Sequence, residues 1–127
     1  MGLSNKTVLI VDDSPSMRKM VSFAMKKVFK FGSEFQASDG LEALDMISKE
    51  HIDLVICDIN MPNMNGLEFL TKVKNDEAFK EIPVVMLSTE SKQEDIIKAI
   101  NLGANAYVKK PFKPEEMKKA LMKINIL

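Results

Sequence analysis

Five short apolar runs, each followed by a stretch with helical spacing of its apolar residues, constrain the fold of this chain most strongly. The runs are TVLIVD, EFQAS, LVICD, VVMLS and AYVK, at residues 7–12, 34–38, 54–58, 84–88 and 106–109. The first, third and fourth are almost continuously apolar, which is typical of strands covered by helices on both faces. Because parallel strands are joined by right-handed helical crossovers, the pattern predicts an open parallel α/β sheet with helices on both sides.

Residues that can cap or open helices stand between these runs. They are Ser14, Asp39, Asn65, Ser91 and Pro114. A glutamate follows each of the three middle ones at capping-box spacing, which predicts helix starts after residues 39, 65 and 91. Apolar residues at helical spacing then predict the inward faces of the helices. They are Met17, Met20, Val21, Ala24 and Val28 in the first helix, Ile97 and Ile100 in the fourth, and Met117, Ala120, Leu121 and Ile124 in the last.

The composition argues against several classes of protein. The chain has 127 residues, 46% of them apolar, which suits one folded domain and not a disordered chain. Eighteen basic residues balance eighteen acidic ones, so there is no general attraction to nucleic acid or to an anionic membrane. No apolar run reaches the roughly 18 residues of a membrane span. The single cysteine, Cys57, fits a reducing compartment, so we expect a soluble, cytoplasmic monomer.

Acidic residues stand where two of the predicted strands end. Asp12 is the last residue of the first predicted strand and Asp13 follows it, while Asp58 is the last residue of the third. If these strands are neighbours the three carboxylates converge, because parallel strands end at one edge of the sheet and ligands bind there. The fourth and fifth strands also end in polar residues, namely Ser88, Thr89, Lys109 and Lys110. The sequence therefore gathers its reactive side chains at one edge.

Three clustered carboxylates need a cation, because two unit charges 4 Å apart repel by roughly 4 kcal/mol at an effective dielectric near 20. Oxygen ligands, to which the backbone carbonyl of Asn60 can add one more, favour a hard ion such as Mg²⁺ or Mn²⁺. Magnesium often keeps several waters and also takes phosphate oxygens. A phosphate is therefore the expected reactant and a carboxylate the expected nucleophile. A lysine at the next strand end can balance the added charge.

Four motifs occupy these strand ends in order. They are VDDS after the first strand, CDINMPNMNG after the third, LSTE after the fourth and AYVKKPF around the fifth. With them the chain resembles bacterial response-regulator receiver domains over nearly its whole length, and among these the stand-alone chemotaxis regulators. The resemblance implies a flavodoxin-like, doubly wound (βα)5 fold with strand order 2-1-3-4-5. It also implies that residues 1–127 form a single receiver domain without an output domain.

The resemblance assigns chemical roles to the residues at the strand ends. Asp58 would accept a phosphoryl group from the phosphohistidine of a histidine kinase. Lys110, which matches the family's lysine before Pro-Phe, would contact that group. Asp13 would bind Mg²⁺ directly and Asp12 mostly through water, while Asn60 would supply its backbone carbonyl.

The resemblance also assigns a switch. Ser88 would hydrogen-bond a phosphoryl oxygen and draw its loop inward, and Tyr107 would then turn from an exposed to a buried position. Asn60 and Glu90 would occupy the two positions that tune hydrolysis of the phosphoryl group. The Lys110–Pro111 peptide bond is often cis in this family, and proline makes that isomer accessible.

A receiver domain of this kind would be a signalling switch with slow self-dephosphorylation, and its output would pass to a separate partner. The expected partners are a chemotaxis-type histidine kinase and a flagellar motor switch protein or a phosphatase. We expect an amphipathic helix to dock across Ile96, Tyr107 and Lys119, with Ile96 at the margin of its helix's apolar stripe.

Other functions are weighed against this one. A phosphorelay intermediate would use the same chemistry and hand the phosphoryl group to another protein. Mg²⁺-dependent aspartyl-phosphate phosphohydrolases usually place the nucleophile after the first strand and carry a substrate cap, whereas Asp58 lies mid-chain. A flavin carrier would need a phosphate-binding loop after the first strand, where Asp12 and Asp13 would repel phosphate.

Overall fold

Strands and helices alternate along the chain in a computed structural model, which describes residues 5–28, 30–89 and 92–126. The strands are β1 (Thr7–Val11), β2 (Ser33–Ala37), β3 (Leu54–Asp58), β4 (Val84–Ser88) and β5 (Ala106–Lys109). The helices are α1 (Pro15–Val28), α2 (Gly40–Lys49), α3 (Gly66–Lys74), α4 (Gln93–Asn101) and α5 (Pro114–Lys123). The last three strands have the predicted bounds, and the bounds of the first two differ from the prediction by at most one residue.

The five strands form one parallel sheet in the order β2-β1-β3-β4-β5, which confirms the predicted fold class. In the register, Val11 pairs with Cys57 and Asp58 pairs with Leu87. The carboxyl ends of β1, β3 and β4 are therefore level with one another. From β1 the chain runs to β2 on one side and later returns to β3 on the other, so a crevice opens between the ends of β1 and β3.

Two apolar cores, one on each face of the sheet, explain why the strand sequences are almost continuously apolar. Alternate residues of a strand point to opposite faces, so Leu9 and Val55 enter one core while Ile10 and Ile56 enter the other. Helices α2, α3 and α4 cover the first core with Ala43, Ile47, Phe69, Leu70, Val73 and Ala99. Helices α1 and α5 cover the second with Val21, Met25, Met117, Ala120 and Leu121.

Most of the predicted helix starts are confirmed. Ser14, Asp39 and Asn65 each accept a hydrogen bond from a backbone N–H of the following first turn, at 3.2, 2.8 and 2.9 Å. Asn65 and Glu68 form the predicted reciprocal capping box, whereas Glu42 bonds the N–H of the residue before Asp39 instead. Ser91 lies outside the described residues, and α4 begins after Lys92 without a side-chain cap. None of the described helices has the length and apolar character needed to cross a membrane.

The inward faces predicted for α1 and α4 are partly wrong. Met20 is 64% exposed, because α1 turns Val21 and Met25 toward the sheet and Met20 falls to one side.

Helix α4 packs on the sheet through Ala99, which is fully buried, while Ile97 and Ile100 are 50% and 45% exposed. At 100° per residue, Ile97 lies about 160° around the helix from Ala99 and Ile96 only about 60°. Ile96 is accordingly half-buried. The apolar stripe of α4 is thus wider than the face that it buries, and part of the stripe is left on the surface.

Candidate functional site

Three carboxylates meet where β1 and β3 end. Asp12 and Asp13 directly follow β1, and Asp58 is the last residue of β3. One carboxylate oxygen from each lies within 4.8 Å of the others. Asp12 and Asp58 are buried, with exposed fractions of 3% and 8%, and Asp13 is exposed. The predicted convergence is confirmed, and its cause is the pairing of β1 with β3.

Lys110 carries the positive charge of the site. Its Nζ donates a hydrogen bond of 2.9 Å to Asp12 Oδ2 and lies 3.3 Å from Asp58 Oδ1. The backbone N–H of Lys110 donates to the carbonyl of Ser88, which fastens the end of β5 to the end of β4. The Lys110–Pro111 peptide is cis, as the family resemblance implies. Lys109 is exposed, so the structure brings Lys110 and not its neighbour to the acids.

Burial and charge act in opposite directions on the ionisable groups of the site. Burial raises the pKa of Asp58, the charge of Lys110 counteracts that rise, and the charge of Asp12 adds to it. Burial lowers the pKa of Lys110, but its hydrogen bond with Asp12 and the charge of Asp58 outweigh burial and leave that pKa raised. Lys110 therefore stays protonated, whereas the folded protein disfavours the ionised form of Asp58.

The donor atoms of the site fit a hard divalent cation. The three converging ligands are all carboxylate oxygens, the donors that Mg²⁺ prefers. Cys57 adjoins them, but burial raises the pKa of its thiol, whose Sγ–H donates to the Asp58 carbonyl at 3.2 Å. A buried neutral thiol does not compete with the carboxylates for the ion. His51 is exposed and bonds Asp53, away from the acids.

The loop after β3 is held close to the site by backbone contacts. The N–H of Gly66 donates to the Ile59 carbonyl at 2.8 Å, and the N–H of Gly40 donates to the Met64 carbonyl at 2.9 Å. A Cβ atom on Gly66 would lie 2.0 Å from the carbonyl oxygen of Asp58, so no larger residue fits there without movement. The loop therefore folds back tightly on the residue that ends β3.

The match to a family model decides what kind of site this is. Residues 8–122 match the model of the response regulator receiver domain. The chain belongs to that family. The receiver domain is 41% identical to chemotaxis protein CheY-3 of Vibrio cholerae over 120 residues, 94% of this chain and 92% of that protein. It is 38% identical to chemotaxis protein CheY of Pseudomonas aeruginosa over 117 residues, 92% of this chain and 94% of that protein.

Solved structures of receiver domains share the fold. Chemotaxis response regulator CheY4 of Vibrio cholerae superimposes with a TM-score of 0.82 at 38% identity, covering 94% of this chain and 98% of that one. A chain of the CheX–CheY–BeF3–Mg²⁺ complex from Borrelia burgdorferi gives a TM-score of 0.82 at 29% identity, covering 94% and 88%. This receiver domain is therefore of the chemotaxis response-regulator type, a family of phosphorylation-activated signalling proteins.

The residues expected to form the switch of the receiver domain lie on β4 and β5. Ser88 is fully buried at the end of β4, where it pairs in register with Lys109. Tyr107 is half-buried on β5. Asn60 is exposed in the loop after β3, two residues beyond Asp58, and Glu90 lies outside the described residues. Their roles in switching and hydrolysis stay predictions.

An open groove of about 560 Å³ runs between β5 and α5. Ile100, Tyr107, Glu116 and Lys119 are among the residues that line it. Two of the three residues predicted to bind a partner, Tyr107 and Lys119, thus share this groove, whereas Ile96 stays half-buried on α4. Ile100, which the helical spacing predicts for the inward face of α4, is exposed and lines this groove.

Sequence reasoning missed residues that shape the site without reacting. Asp39, predicted as a helix cap, also accepts a hydrogen bond of 2.7 Å from Asn63 and so ties α2 to the loop after β3. Arg18 donates to the carbonyl of Asp12 at 2.6 Å. Asn63 has a φ of 64°, a left-handed conformation that asparagine tolerates better than most residues. The asparagine in MPNMNG is therefore the one local feature of the sequence that could have indicated this turn.

Proposed function

We propose that this receiver domain is a phosphorylation-activated switch in which Asp58 accepts a phosphoryl group from a histidine kinase in a Mg²⁺-dependent reaction. The observation that carries the proposal is the meeting of Asp12, Asp13 and Asp58, with Lys110 bonded to Asp12 and close to Asp58. An oxyanion nucleophile, a set of cation ligands and a fixed ammonium group then surround one place at the sheet edge. These are the groups that phosphoryl transfer requires.

The residues divide the chemistry among them. Asp12, Asp13, Asp58 and the backbone carbonyl of Asn60 would hold Mg²⁺, which when bound neutralises phosphoryl oxygens and brings the donor near Asp58. A carboxylate oxygen of Asp58 forms the new bond to phosphorus as the N–P bond of the donor phosphohistidine breaks. The imidazole leaves with the electron pair of that bond. Lys110 interacts with the added negative charge, which its raised pKa supports.

The switch would begin with the interaction between the phosphoryl group on Asp58 and Ser88. Ser88 would hydrogen-bond a phosphoryl oxygen, and the inward movement of its loop would leave room for Tyr107 to turn in. The phosphoryl group shifts this equilibrium only by the difference between its interactions with the two conformations. Asn60 and Glu90 would set how fast water removes the phosphoryl group.

The output would pass to a separate partner, since the chain matches 92% and 94% of the length of the two chemotaxis proteins and the match leaves little of either for an output domain. The expected partners are a chemotaxis-type histidine kinase and a flagellar motor switch protein or phosphatase. The Borrelia burgdorferi structure, in which CheY is in complex with CheX, BeF3 and Mg²⁺, supports a separate protein as the partner. Ile96, Tyr107 and Lys119 are the proposed docking residues. A phosphorelay intermediate is the second candidate, since the same site would serve it.

Labelling with acetyl phosphate and Mg²⁺ tests the acceptor. Intact-mass spectrometry should show one added phosphoryl group on the wild type, and none on Asp58→Asn or in EDTA. Asp53→Asn is the control, because Asp53 lies before β3 and bonds Thr7 and His51 instead of the site. Full labelling of Asp58→Asn would refute the assignment. Steady turnover of small phosphate esters by the wild type would favour a phosphohydrolase instead.

A further inference from the structure

Arg18 is the one charged side chain on α1 that reaches the backbone of the acidic site. Its Nη1 donates a hydrogen bond of 2.6 Å to the carbonyl oxygen of Asp12. That carbonyl belongs to the peptide plane that leads into Asp13. Asp13 is exposed, so the position of its carboxylate depends mainly on how this backbone is held. Arg18 thus acts on the two acids that follow β1 without touching either carboxylate.

A chain of polar side chains holds Arg18 in turn. Its Nε donates to Gln36 Oε1 at 3.1 Å, Gln36 Nε2 donates to Glu34 Oε2 at 2.8 Å, and Ser22 donates to the other oxygen of Glu34. The sequence spacing makes this possible. Arg18 and Ser22 are four residues apart on one face of α1, and Glu34 and Gln36 are two apart on one face of β2.

The guanidinium group is suited to this task. It is planar and offers donors in fixed directions, so one side chain can bond Asp12 and Gln36 together. The other backbone group of Asp12 is also held, because its N–H donates to the carbonyl of Ala37 at 3.0 Å. The turn after β1 is therefore fastened to the end of β2 on one side and to α1 on the other.

We propose that Arg18 is a positioning residue for the divalent cation, and that Gln36 orients Arg18 for this purpose. The inference rests on the proposed metal site. Arg18 fixes the Asp12–Asp13 peptide, so the two carboxylates are already placed when the ion arrives and less ordering is needed on binding. Outer residues that orient metal ligands typically change metal affinity by about 10–100-fold when they are replaced.

The direction in which Mg²⁺ affinity changes when Arg18 is replaced distinguishes a positioning role from a simple effect of its charge. If Arg18 were only a nearby positive charge, its removal would strengthen the binding of a cation. If it positions Asp12 and Asp13, its removal weakens binding despite the favourable change in charge. Lys19→Met is the matched control, because the neighbouring Lys19 is exposed and its replacement removes the same charge from the same turn of α1.

The experiment is a calorimetric titration of MgCl2 into each protein at constant ionic strength. We expect the Mg²⁺ dissociation constant to rise about tenfold in Arg18→Met and about threefold in Gln36→Met, which keeps the charge of Arg18. Lys19→Met should bind Mg²⁺ as the wild type does or slightly more tightly. Urea unfolding in EDTA accompanies each titration and shows that the titrated protein is folded.

Each outcome decides between the alternatives. Weaker binding by Arg18→Met and Gln36→Met, with Lys19→Met unchanged, supports positioning. An Arg18→Met affinity equal to or above that of Lys19→Met overturns it. If Arg18→Met does not fold, Gln36→Met decides alone, and a wild-type affinity in that variant overturns the inference. Failure of the wild type to bind Mg²⁺ would instead overturn the proposed metal site itself.

Discussion

Lys110 Nζ donates a 2.9 Å hydrogen bond to Asp12 Oδ2, although β3 and β4 lie between the strands that these two residues follow. The contact is buried, with 9% of the Lys110 side chain and 4% of the Asp12 side chain exposed. The ammonium group stands where a cation is needed, among acids that would otherwise repel one another. Lys110 therefore stabilises the folded protein even when no phosphoryl group is bound.

Replacing Lys110 should destabilise the protein most when no divalent ion is present. In EDTA, Lys110→Met leaves Asp12 and Asp58 without their buried partner, and the free energy of unfolding should fall by about 3 kcal/mol. In saturating Mg²⁺ the fall should be smaller, because the ion takes over part of the charge compensation. Urea unfolding followed by circular dichroism measures both. Lys109→Met is the exposed control and should change stability by at most about 0.5 kcal/mol. Equal losses with and without Mg²⁺ would contradict this account.

Removing an acid should have the opposite effect. Asp13→Ala should melt about 3 °C higher than wild type in EDTA, since about 1 kcal/mol of repulsion is relieved. Asp58→Asn should also melt higher, because a raised carboxyl pKa means that the folded state disfavours the charged form at neutral pH. Mg²⁺ at a hundredfold excess over its dissociation constant should stabilise the wild type by about 2.7 kcal/mol and both variants much less.

The control for these variants is Asp45→Ala, which removes an acid from the exposed face of α2, where it pairs with Lys49. Exposed pairs contribute little, so its melting temperature should be almost unchanged in either buffer. Should Asp13→Ala and Asp58→Asn both melt below the wild type in EDTA, the acids would be structural caps and the metal site would lose its main support.

Gly66 should prove essential to the geometry around Asp58. A methyl group on Gly66 would meet the Asp58 carbonyl oxygen at 2.0 Å, so Gly66→Ala must displace the loop or the end of β3. We expect a loss of about 1–3 kcal/mol in stability and slower labelling by acetyl phosphate in the remaining folded protein. Gly103→Ala is the control, since Gly103 has a φ of 109° at the end of α4 and should cost stability alone. Normal labelling of folded Gly66→Ala would contradict the prediction.

The pH dependence of stability should show the link between Asp39 and the loop after β3. Hydrogen bonds from the backbone N–H of Glu42 and from Asn63 lower the pKa of Asp39 in the folded protein. A lowered carboxyl pKa gives stability that is present above the ordinary pKa of about 4 and is lost as the pH falls through the folded value. Asp39→Asn should therefore lose about 1 kcal/mol at pH 6 and much less at pH 2.5, measured by urea unfolding. A pH-independent loss in Asp39→Asn would exclude the linkage.

The sequence was sufficient to predict the strands and helices and the convergence of the three acids at one edge of the sheet. Near-continuous apolar strands such as LVICD can be recognised because both faces of the sheet are covered, and the acids stand out because they interrupt that pattern. The inward faces of the helices were harder to predict. Ile97 and Ile100 are three residues apart and share one face of α4, but whether that face or the one with Ala99 is buried depends on how α4 sits against the edge of the sheet.

Contacts between residues far apart in the chain could not be predicted from the sequence, for a different reason. Asp39 and Asn63 are 24 positions apart in the sequence. Neither their contact nor the hydrogen bond from Arg18 to the Asp12 carbonyl leaves a periodic signal. The close approach of Gly66 to the Asp58 carbonyl likewise has no counterpart in the local sequence. Such contacts are decided by the register of packed elements, which no local pattern of residues specifies.

The groove between β5 and α5 allows a direct test of the proposed output surface. Tyr107 and Lys119 line it together with Ile100, and Ile96 lies on α4 nearby. Its apolar and basic residues suit an amphipathic helix with acidic flanks. Met122 offers a control, because it is 53% exposed on α5, does not line the groove, and loses a comparable apolar area when it is replaced by alanine.

Binding of a flagellar motor switch peptide should depend on both the groove and the phosphoryl group. Beryllofluoride, which mimics that group, should raise the affinity of the wild type by about 5–150-fold, the usual range of coupling between two sites. Tyr107→Ala should reduce this gain, because the side chain that is proposed to turn inward on phosphorylation is gone. Ile96→Ala and Ile100→Ala should weaken binding in both conditions, and Met122→Ala should not. Fluorescence titration of the labelled peptide measures each affinity. Wild-type affinities in Ile96→Ala, Ile100→Ala and Tyr107→Ala would place the output surface elsewhere, and α1 beside Asp13 would be the next surface to test.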